Sequence, residues 1–88
     1  MLRLIITSAI LSVSLTCHSV AADPSNLLLI AGSPSHGYGS HEHYAGLKIL
    51  EESLLSTQEN LEVQVVRGWP EDDSLVEAAD SIVIYCDG

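Results

Sequence analysis

The chain has 88 residues, and three Lys and Arg side chains stand against twelve carboxylates, giving a net charge of −9 at pH 7 with neutral histidines. This balance argues against a nucleic-acid partner, because phosphate backbones are bound by clustered Lys and Arg. It argues equally against binding to an anionic membrane surface. The carboxylates are spread along the sequence, and we interpret them as a solvated face.

Residues 1–22 predict a secretory signal peptide, so we expect an exported protein, periplasmic or extracellular. Arg3 supplies a positive start, residues 4–15 are mainly apolar, and small residues precede the cleavage position at the end of the segment. The apolar run is shorter than the roughly 20 residues of a membrane span. We therefore expect no stable membrane anchor after cleavage. Cys17 would leave with the peptide, so Cys86 would have no intramolecular disulfide partner.

The first element after the signal peptide is an apolar run over residues 27–31. It lacks alternation, which is typical of a strand buried on both faces. Gly32 ends the run, and a loop rich in Gly, Pro and Ser follows over residues 33–40. Its glycine spacing fits neither the dinucleotide-binding fingerprint nor a phosphate-binding P-loop.

Residues 41–57 then predict a helix, because apolar side chains recur there at helical spacing. Ser40 is the expected N-cap, with Glu42 and His43 in the first turn, where a carboxylate suits the positive end of the helix dipole. The apolar stripe comprises Ala45, Leu47, Ile49, Leu50 and Leu54.

Two further strands and a short helix are predicted after this helix. Residues 61–67 alternate apolar and polar side chains, which indicates a half-covered or edge strand. A Gly-Trp-Pro turn ends that strand, and Asp73 or Ser74 then caps a brief helix up to residue 79. Residues 81–86 form the last strand, again of the buried type.

The predicted fold class is α/β, with the element order β-α-β-α-β. Right-handed crossovers make the three strands parallel. The amphipathic second strand suits an edge, so we expect the spatial order 2-1-3. The loop after the first strand and residues 86–88 would then be neighbours in one crevice at the carboxyl end of the sheet. One apolar cluster is expected, made of Leu28, Leu29, Ile30, Leu47, Leu50, Leu54, Val63, Val65, Ile82 and Ile84.

Three of the four histidines, His36, His41 and His43, lie in or next to the loop after the first strand. On a regular helix His41 and His43 point about 200° apart, so both serve one site only from an irregular first turn. His-x-His commonly presents two imidazoles to a metal, and a third ligand would come from His36, Glu42 or Asp87. The alternatives to metal binding are that these histidines act as acid–base or substrate-binding groups, or that their roles are purely structural.

Three segments together resemble the start of a ThuA-like (trehalose-utilisation) domain, in particular the secreted branch of planctomycete-type bacteria. These segments are residues 31–46, AGSPSHGYGSHEHYAG; Gly68-Trp69-Pro70; and residues 82–88, IVIYCDG. The resemblance implies a flavodoxin-like fold similar to class I glutamine amidotransferases. It also implies that residues 23–88 are the truncated N-terminal part of the domain. The amidotransferase nucleophile does not carry over, since Cys86 lacks the Gly-x-Cys-x-Gly setting.

The resemblance further implies that the protein acts on keto-disaccharides or glucosides, so a small-molecule sugar is the expected partner. The catalytic candidates are His41, His43 and Asp87, and the first two are also the candidate ligands of a divalent metal. The candidates for substrate binding are His36, Gly37, Tyr38, Glu42 and Trp69. Trp69 either stacks on a sugar face or packs against Pro70 and the sheet end. A non-catalytic carbohydrate-binding module and an inactive truncated gene product are the alternatives to an enzyme.

Overall fold

The computed structural model describes residues 13, 14, 16, 17 and 22–88. Most of the predicted signal peptide, including most of its apolar segment, lies outside these residues. The described residues form three strands and two helices in the predicted order. They are β1 (Ser25–Ala31), α1 (His43–Thr57), β2 (Leu61–Arg67), α2 (Asp73–Ala78) and β3 (Ser81–Tyr85). No helix in this part of the chain has the length and apolar character to cross a membrane.

The three strands form one sheet in the order β2-β1-β3, and both pairings are parallel. Leu29 of β1 faces Val65 of β2 on one side and Val83 of β3 on the other. The predicted α/β class, parallel pairing and strand order are confirmed. Parallel neighbours need a crossover connection, and α1 and α2 supply the two crossovers.

The centre of the core is β1, since its last four residues are each at most 3% exposed. Successive side chains of a strand point to opposite faces of the sheet. Leu29 and Ala31 therefore meet Leu47 of α1, while Leu28 and Ile30 lie on the opposite face. Leu27, Tyr44, Val63 and Val65 pack around the α1 side of this cluster.

The apolar cluster is smaller than the sequence predicts. Leu50, Ile82 and Ile84 are predicted members of it, but they are 37%, 39% and 56% exposed. Leu54 is also outside the cluster, as are Leu28 and Ile30, which lie on the other face of β1. For Ile82 and Ile84 the reason is the position of β3, which is an edge strand with β1 as its single neighbour. The helix α1 packs mainly over β1 and β2 and only marginally over β3. An apolar strand at this edge therefore stays exposed in spite of its composition.

The helix α1 begins at His43, two residues later than predicted. The cause is His41, whose φ of 46° is left-handed and cannot belong to a right-handed helix. Glu42, rather than Ser40, is the N-cap residue, and its side chain makes no capping hydrogen bond. The Glu42 carboxylate instead accepts a hydrogen bond from the backbone N–H of Gly39 at 3.2 Å.

The cap of α2 also differs from the prediction. Asp72, rather than Asp73 or Ser74, occupies the N-cap position. Its carboxylate accepts a hydrogen bond from the backbone N–H of Ser74 at 2.9 Å, which satisfies one of the free donors at the start of the helix. The Ser74 side chain, followed by this backbone hydrogen bond, holds the pKa of the Asp72 carboxyl below its ordinary value.

Candidate functional site

The loop between β1 and α1 is shaped by left-handed residues. Gly37 and Gly39 have φ of 84° and 79°, which glycine adopts freely. His36 and His41 adopt φ of 62° and 46°, although a residue with a Cβ atom is penalised there by roughly 1–2 kcal/mol. This backbone brings the two imidazoles together, with ring centroids 4.5 Å apart in an edge-to-face arrangement. Backbone strain of this kind is concentrated at functional sites in proteins.

The end of β1 is held closely against the end of β3. The backbone N–H of Gly32 donates a hydrogen bond to the carbonyl oxygen of Tyr85 at 2.8 Å. A Cβ atom on Gly32 would lie only 2.4 Å from the Cβ atom of Cys86, so a side chain at residue 32 is excluded without a shift. This close approach brings Asp87 beside the histidines of the loop.

Asp87 is the centre of the polar cluster. The Ser35 hydroxyl donates a hydrogen bond to its Oδ2 atom. Its Oδ1 atom lies 3.0 Å from Nδ1 of His41 and 3.4 Å from Nε2 of His43. The Ser35 hydroxyl, followed by the His41 ring, holds the pKa of the Asp87 carboxyl below its ordinary value. The carboxylate is therefore ionised at neutral pH.

His43 is the buried member of this polar cluster, with 2% of its surface exposed. Its Nδ1 atom lies 3.0 Å from the carbonyl oxygen of Ser33. Because a carbonyl oxygen only accepts hydrogen bonds, Nδ1 carries a proton and Nε2 is the atom directed at Asp87. The Tyr85 ring stands edge-on against the imidazole, with centroids 4.8 Å apart, and restricts its rotation.

The other members of the polar cluster are open to solvent. The side chains of His41 and Asp87 are 49% and 44% exposed, so a ligand can reach both. His36 completes an exposed group in which ligand atoms of His36, His41 and Asp87 all lie within 4.8 Å of one another. The structure therefore brings together the three histidines and the aspartate that the sequence singles out.

The remaining predicted site residues lie outside this cluster. Tyr38 is fully exposed, and an added Cβ on Gly37 would meet open space. Glu42 is engaged with the backbone of Gly39. Trp69 is 60% exposed, so most of its ring is available to a ligand rather than packed against the sheet end.

Three participants in the site are not evident from the sequence. Ser35 is one serine among several in the loop, and only its contacts with Asp87 and His41 distinguish it. The Ser33 carbonyl acts through the backbone, which no side-chain pattern can reveal. Tyr85 was expected only as a strand residue. A polar residue directly before a candidate histidine in a glycine-rich loop is the one sequence feature that could have pointed to Ser35.

A crevice of about 220 Å³ opens between the carboxyl ends of β1 and β2. Residues 31–34 line one side, while Arg67 and Gly68 line the other. The Arg67 guanidinium lies over the Tyr44 ring, 3.7 Å from its centroid. A larger cavity, of about 380 Å³, lies between α2 and the first halves of β1 and β2, away from the polar cluster. The smaller crevice lies at the carboxyl end of the sheet and includes Ser33, whose carbonyl oxygen contacts His43, so it is the candidate binding site.

No family model, curated protein or solved structure matches this chain. The resemblance to ThuA-like domains stays a prediction from the sequence motifs. Function has to be argued from the chemistry of the site itself.

Proposed function

We propose that this chain forms part of an exported carbohydrate-processing site of the ThuA-like type, which moves a proton next to the carbonyl group of a keto-sugar. The observation that carries this proposal is the exposed imidazole of His41, 3.0 Å from the ionised carboxylate of Asp87. In parallel α/β sheets, ligands bind at the carboxyl ends of the strands, where this pair lies. The crevice between the carboxyl ends of β1 and β2 has room for part of a sugar.

The roles follow from the hydrogen bonds of His41. With its Nδ1–H donated to Asp87, its Nε2 atom carries a lone pair and can act as a general base. It takes a proton from the carbon next to the carbonyl group, and the electron pair of that C–H bond moves to form the enediol. His36, beside His41, supplies a proton to the carbonyl oxygen. Positioned acid–base groups of this kind contribute roughly 10²–10⁴ in rate.

The charge of the chain supports a neutral sugar over a phosphorylated one. Lys48 and Arg67 are the only cationic side chains after residue 22, apart from any protonated histidine. A phosphate group is held by several cationic or backbone donors, and the histidine loop has no phosphate-binding sequence motif. The hydroxyl groups of a neutral sugar suit the serine, carbonyl and imidazole groups of the loop.

The proposal is tested by exchange of solvent deuterium into a keto-glucoside, followed by NMR. We expect the full chain to introduce deuterium at the carbon next to the carbonyl group. His41→Ala should slow this exchange by roughly 10²–10⁴, and Asp87→Asn should also slow it. Glu59→Gln, an exposed change away from the site, is the matched control. Undiminished exchange in the His36→Ala, His41→Ala double variant would overturn the proposal.

A non-catalytic sugar-binding module is the second candidate, and the exposed rings of Trp69 and Tyr38 favour it. Such rings stack on the apolar faces of sugars. Trp69 is the only tryptophan of the chain, so its fluorescence reports on this contact directly. A fluorescence change on adding a glucoside, lost in Tyr38→Ala and without any deuterium exchange, would support binding over catalysis.

A further inference from the structure

We infer that Ser35 is a positioning residue of the site, whose hydroxyl group holds His41 in the tautomer with its proton on Nδ1 and its lone pair on Nε2. For its consequence the inference rests on the proposed function, because His41 acts there as a general base through the Nε2 lone pair. The tautomer itself is a property of the chain, so it can be measured without any sugar.

Three oxygen atoms surround Nδ1 of His41. Oγ of Ser35 lies 3.0 Å away, and Oδ1 and Oδ2 of Asp87 lie 3.0 and 3.3 Å away. The Ser35 hydroxyl donates its only proton to Oδ2 of Asp87, so its oxygen faces the imidazole with lone pairs. The ionised carboxylate of Asp87 has no proton to donate. All three oxygens therefore accept hydrogen bonds, and Nδ1 of His41 must be the donor.

The other tautomer breaks this set of hydrogen bonds. With the proton on Nε2, the lone pair of Nδ1 faces the two carboxylate oxygens of Asp87 directly. The Ser35 hydroxyl can then turn to donate to Nδ1, but only by giving up its bond to Asp87. That bond is charge-assisted, and such bonds are roughly twice as strong as those between neutral groups. The arrangement therefore favours the proton on Nδ1 as long as Ser35 supplies its hydroxyl.

The backbone of the loop fixes the place of Ser35. Pro34 precedes it with a φ angle restricted by the proline ring, and His36 follows it with a left-handed φ of 62°. Ser35 thus lies between two residues of restricted backbone. Its partners are six positions away, at His41, and 52 positions away, at Asp87. The hydroxyl group therefore joins the loop after β1 to the end of β3.

The consequence of this arrangement is a lone pair that is ready for a ligand. In the described part of the chain, the hydrogen bonds of the His41 ring all involve Nδ1, which leaves Nε2 free. When Nε2 takes a proton, the ring becomes positively charged, and its Nδ1–H bond to the ionised Asp87 stabilises that charge. Ser35 acts through these two side chains and does not itself touch the sugar.

The tautomer is tested by ¹⁵N NMR of the full chain, labelled at histidine, at a pH where the His41 ring is neutral. We expect the proton on Nδ1 in the wild type and a mixture of both tautomers in Ser35→Ala. Ser35→Thr keeps a hydroxyl group and should keep the wild-type tautomer. Asp87→Asn supplies the reference signal of the other tautomer, because an amide N–H can donate to Nδ1. Ser40→Ala, a serine of the same loop outside the polar cluster, is the matched control.

The role in the reaction is tested by the deuterium exchange into a keto-glucoside. Ser35→Ala should lower kcat by roughly 10–100-fold, which corresponds to the loss of one hydrogen bond to a charged group. The KM should change little, because Ser35 does not touch the sugar. Ser35→Thr should recover most of the lost rate, and Ser40→Ala should match the wild type. Circular dichroism checks that each variant is folded.

A wild-type His41 with its proton on Nε2 would overturn the inference without the need for any variant. An unchanged tautomer in Ser35→Ala, or an exchange rate equal to that of the wild type, would overturn it as well. The two proposals fail separately. A tautomer that depends on Ser35, without any deuterium exchange in the wild type, contradicts only the sugar chemistry. Exchange that is undiminished in Ser35→Ala contradicts only the role of Ser35.

Discussion

The strands β1 and β3 have similar apolar sequences, LLLIA and SIVIY, but very different surroundings. The last four residues of β1 are at most 3% exposed, while Ile82, Val83, Ile84 and Tyr85 of β3 are 39–56% exposed. β1 has a strand on each side and α1 above it, whereas β3 has one neighbour and little helix cover. Burial of an apolar strand is thus set by its place in the sheet as much as by its composition.

The polar cluster joins these two unlike strands. The histidines follow β1, the most deeply buried element, while Asp87 follows β3, the most exposed one. The imidazoles are therefore anchored to the part of the sheet with the most packing. The carboxylate depends on the contact between Gly32 and residues 85–86 for its position. The comparison predicts that changes in β1 affect the fold, and that changes at the β1–β3 contact affect the site.

The largest expected effect is on stability, from Leu29→Ala. Leu29 is fully buried, so its truncation should lower the free energy of unfolding by about 2–5 kcal/mol. The matched control is Val83→Ala at its register partner on β3, where we expect roughly 1 kcal/mol because Val83 is 39% exposed. Urea unfolding followed by circular dichroism measures both. Equal losses would show that β3 is as well packed as β1.

The next effect is expected from Gly32→Ala, at the contact between the two strands. The added Cβ would lie 2.4 Å from that of Cys86, so the ends of β1 and β3 must separate. We expect a loss of about 1–3 kcal/mol in stability, as for other overpacked sites. The proposed deuterium exchange into a keto-glucoside should slow as well, because Asp87 moves away from His41.

Cys86→Gly is the partner change for this test, since it removes the Cβ atom that the new side chain would meet. The double variant Gly32→Ala, Cys86→Gly should recover part of the lost deuterium exchange. If the two changes act additively on both the exchange rate and the free energy of unfolding, the close approach of residues 32 and 86 does not position Asp87.

A smaller effect on stability is expected from Ile84→Lys. Ile84 is 56% exposed, so the charge can stay in water and the free energy of unfolding should change by about 0.5 kcal/mol or less. Solubility should rise, because a lysine on an exposed apolar edge strand opposes edge-to-edge association. Ile30→Lys, at its buried register partner on β1, should prevent folding. Light scattering and circular dichroism would record both results, and a soluble, folded Ile30→Lys protein would contradict the comparison.

The smallest effect concerns Asp72, the cap of the helix that leads into β3. Its pKa is lowered in the folded chain by the hydrogen bond from Ser74. A carboxyl with a lowered folded pKa stabilises the fold above its unfolded pKa of about 4, and the contribution is lost as the pH falls through the folded value. Asp72→Ala should therefore lower the melting temperature at pH 7, and less so in strong acid. An equal difference at both pH values would show that the carboxylate charge plays no part.

The local sequence predicts the strand order of the sheet, but it does not predict where the two helices start. The strand order follows from the alternating pattern of β2 and from the handedness of crossovers, and both are visible in the sequence. The start of α1 was placed two residues too early, because helical spacing gives no sign that His41 is left-handed. The cap of α2, predicted at Asp73 or Ser74, lies one or two residues earlier, since three acidic residues in a row offer several caps.

The candidate site likewise combines features that the sequence predicts with features that only the folded structure shows. Three histidines close together in the sequence, and an aspartate after a predicted strand, could be named as candidates because parallel strands end at one edge of the sheet. The sequence could not tell that His43 is buried and His41 is open. It also could not tell that Ser35 and the Ser33 carbonyl orient them. Those features depend on atoms that meet only after the chain has folded.

By itself, the sequence determined the order and type of the elements, the parallel sheet and the concentration of histidines at its carboxyl end. These follow from hydrophobic periodicity, turn residues and chain handedness, which act over short stretches of chain. Only the tertiary structure decided that β3 is exposed, that residues 32 and 86 nearly touch, and that Asp87 faces two imidazoles at 3.0 and 3.4 Å. Distances of that kind arise from packing between residues more than 40 positions apart, which no local pattern encodes.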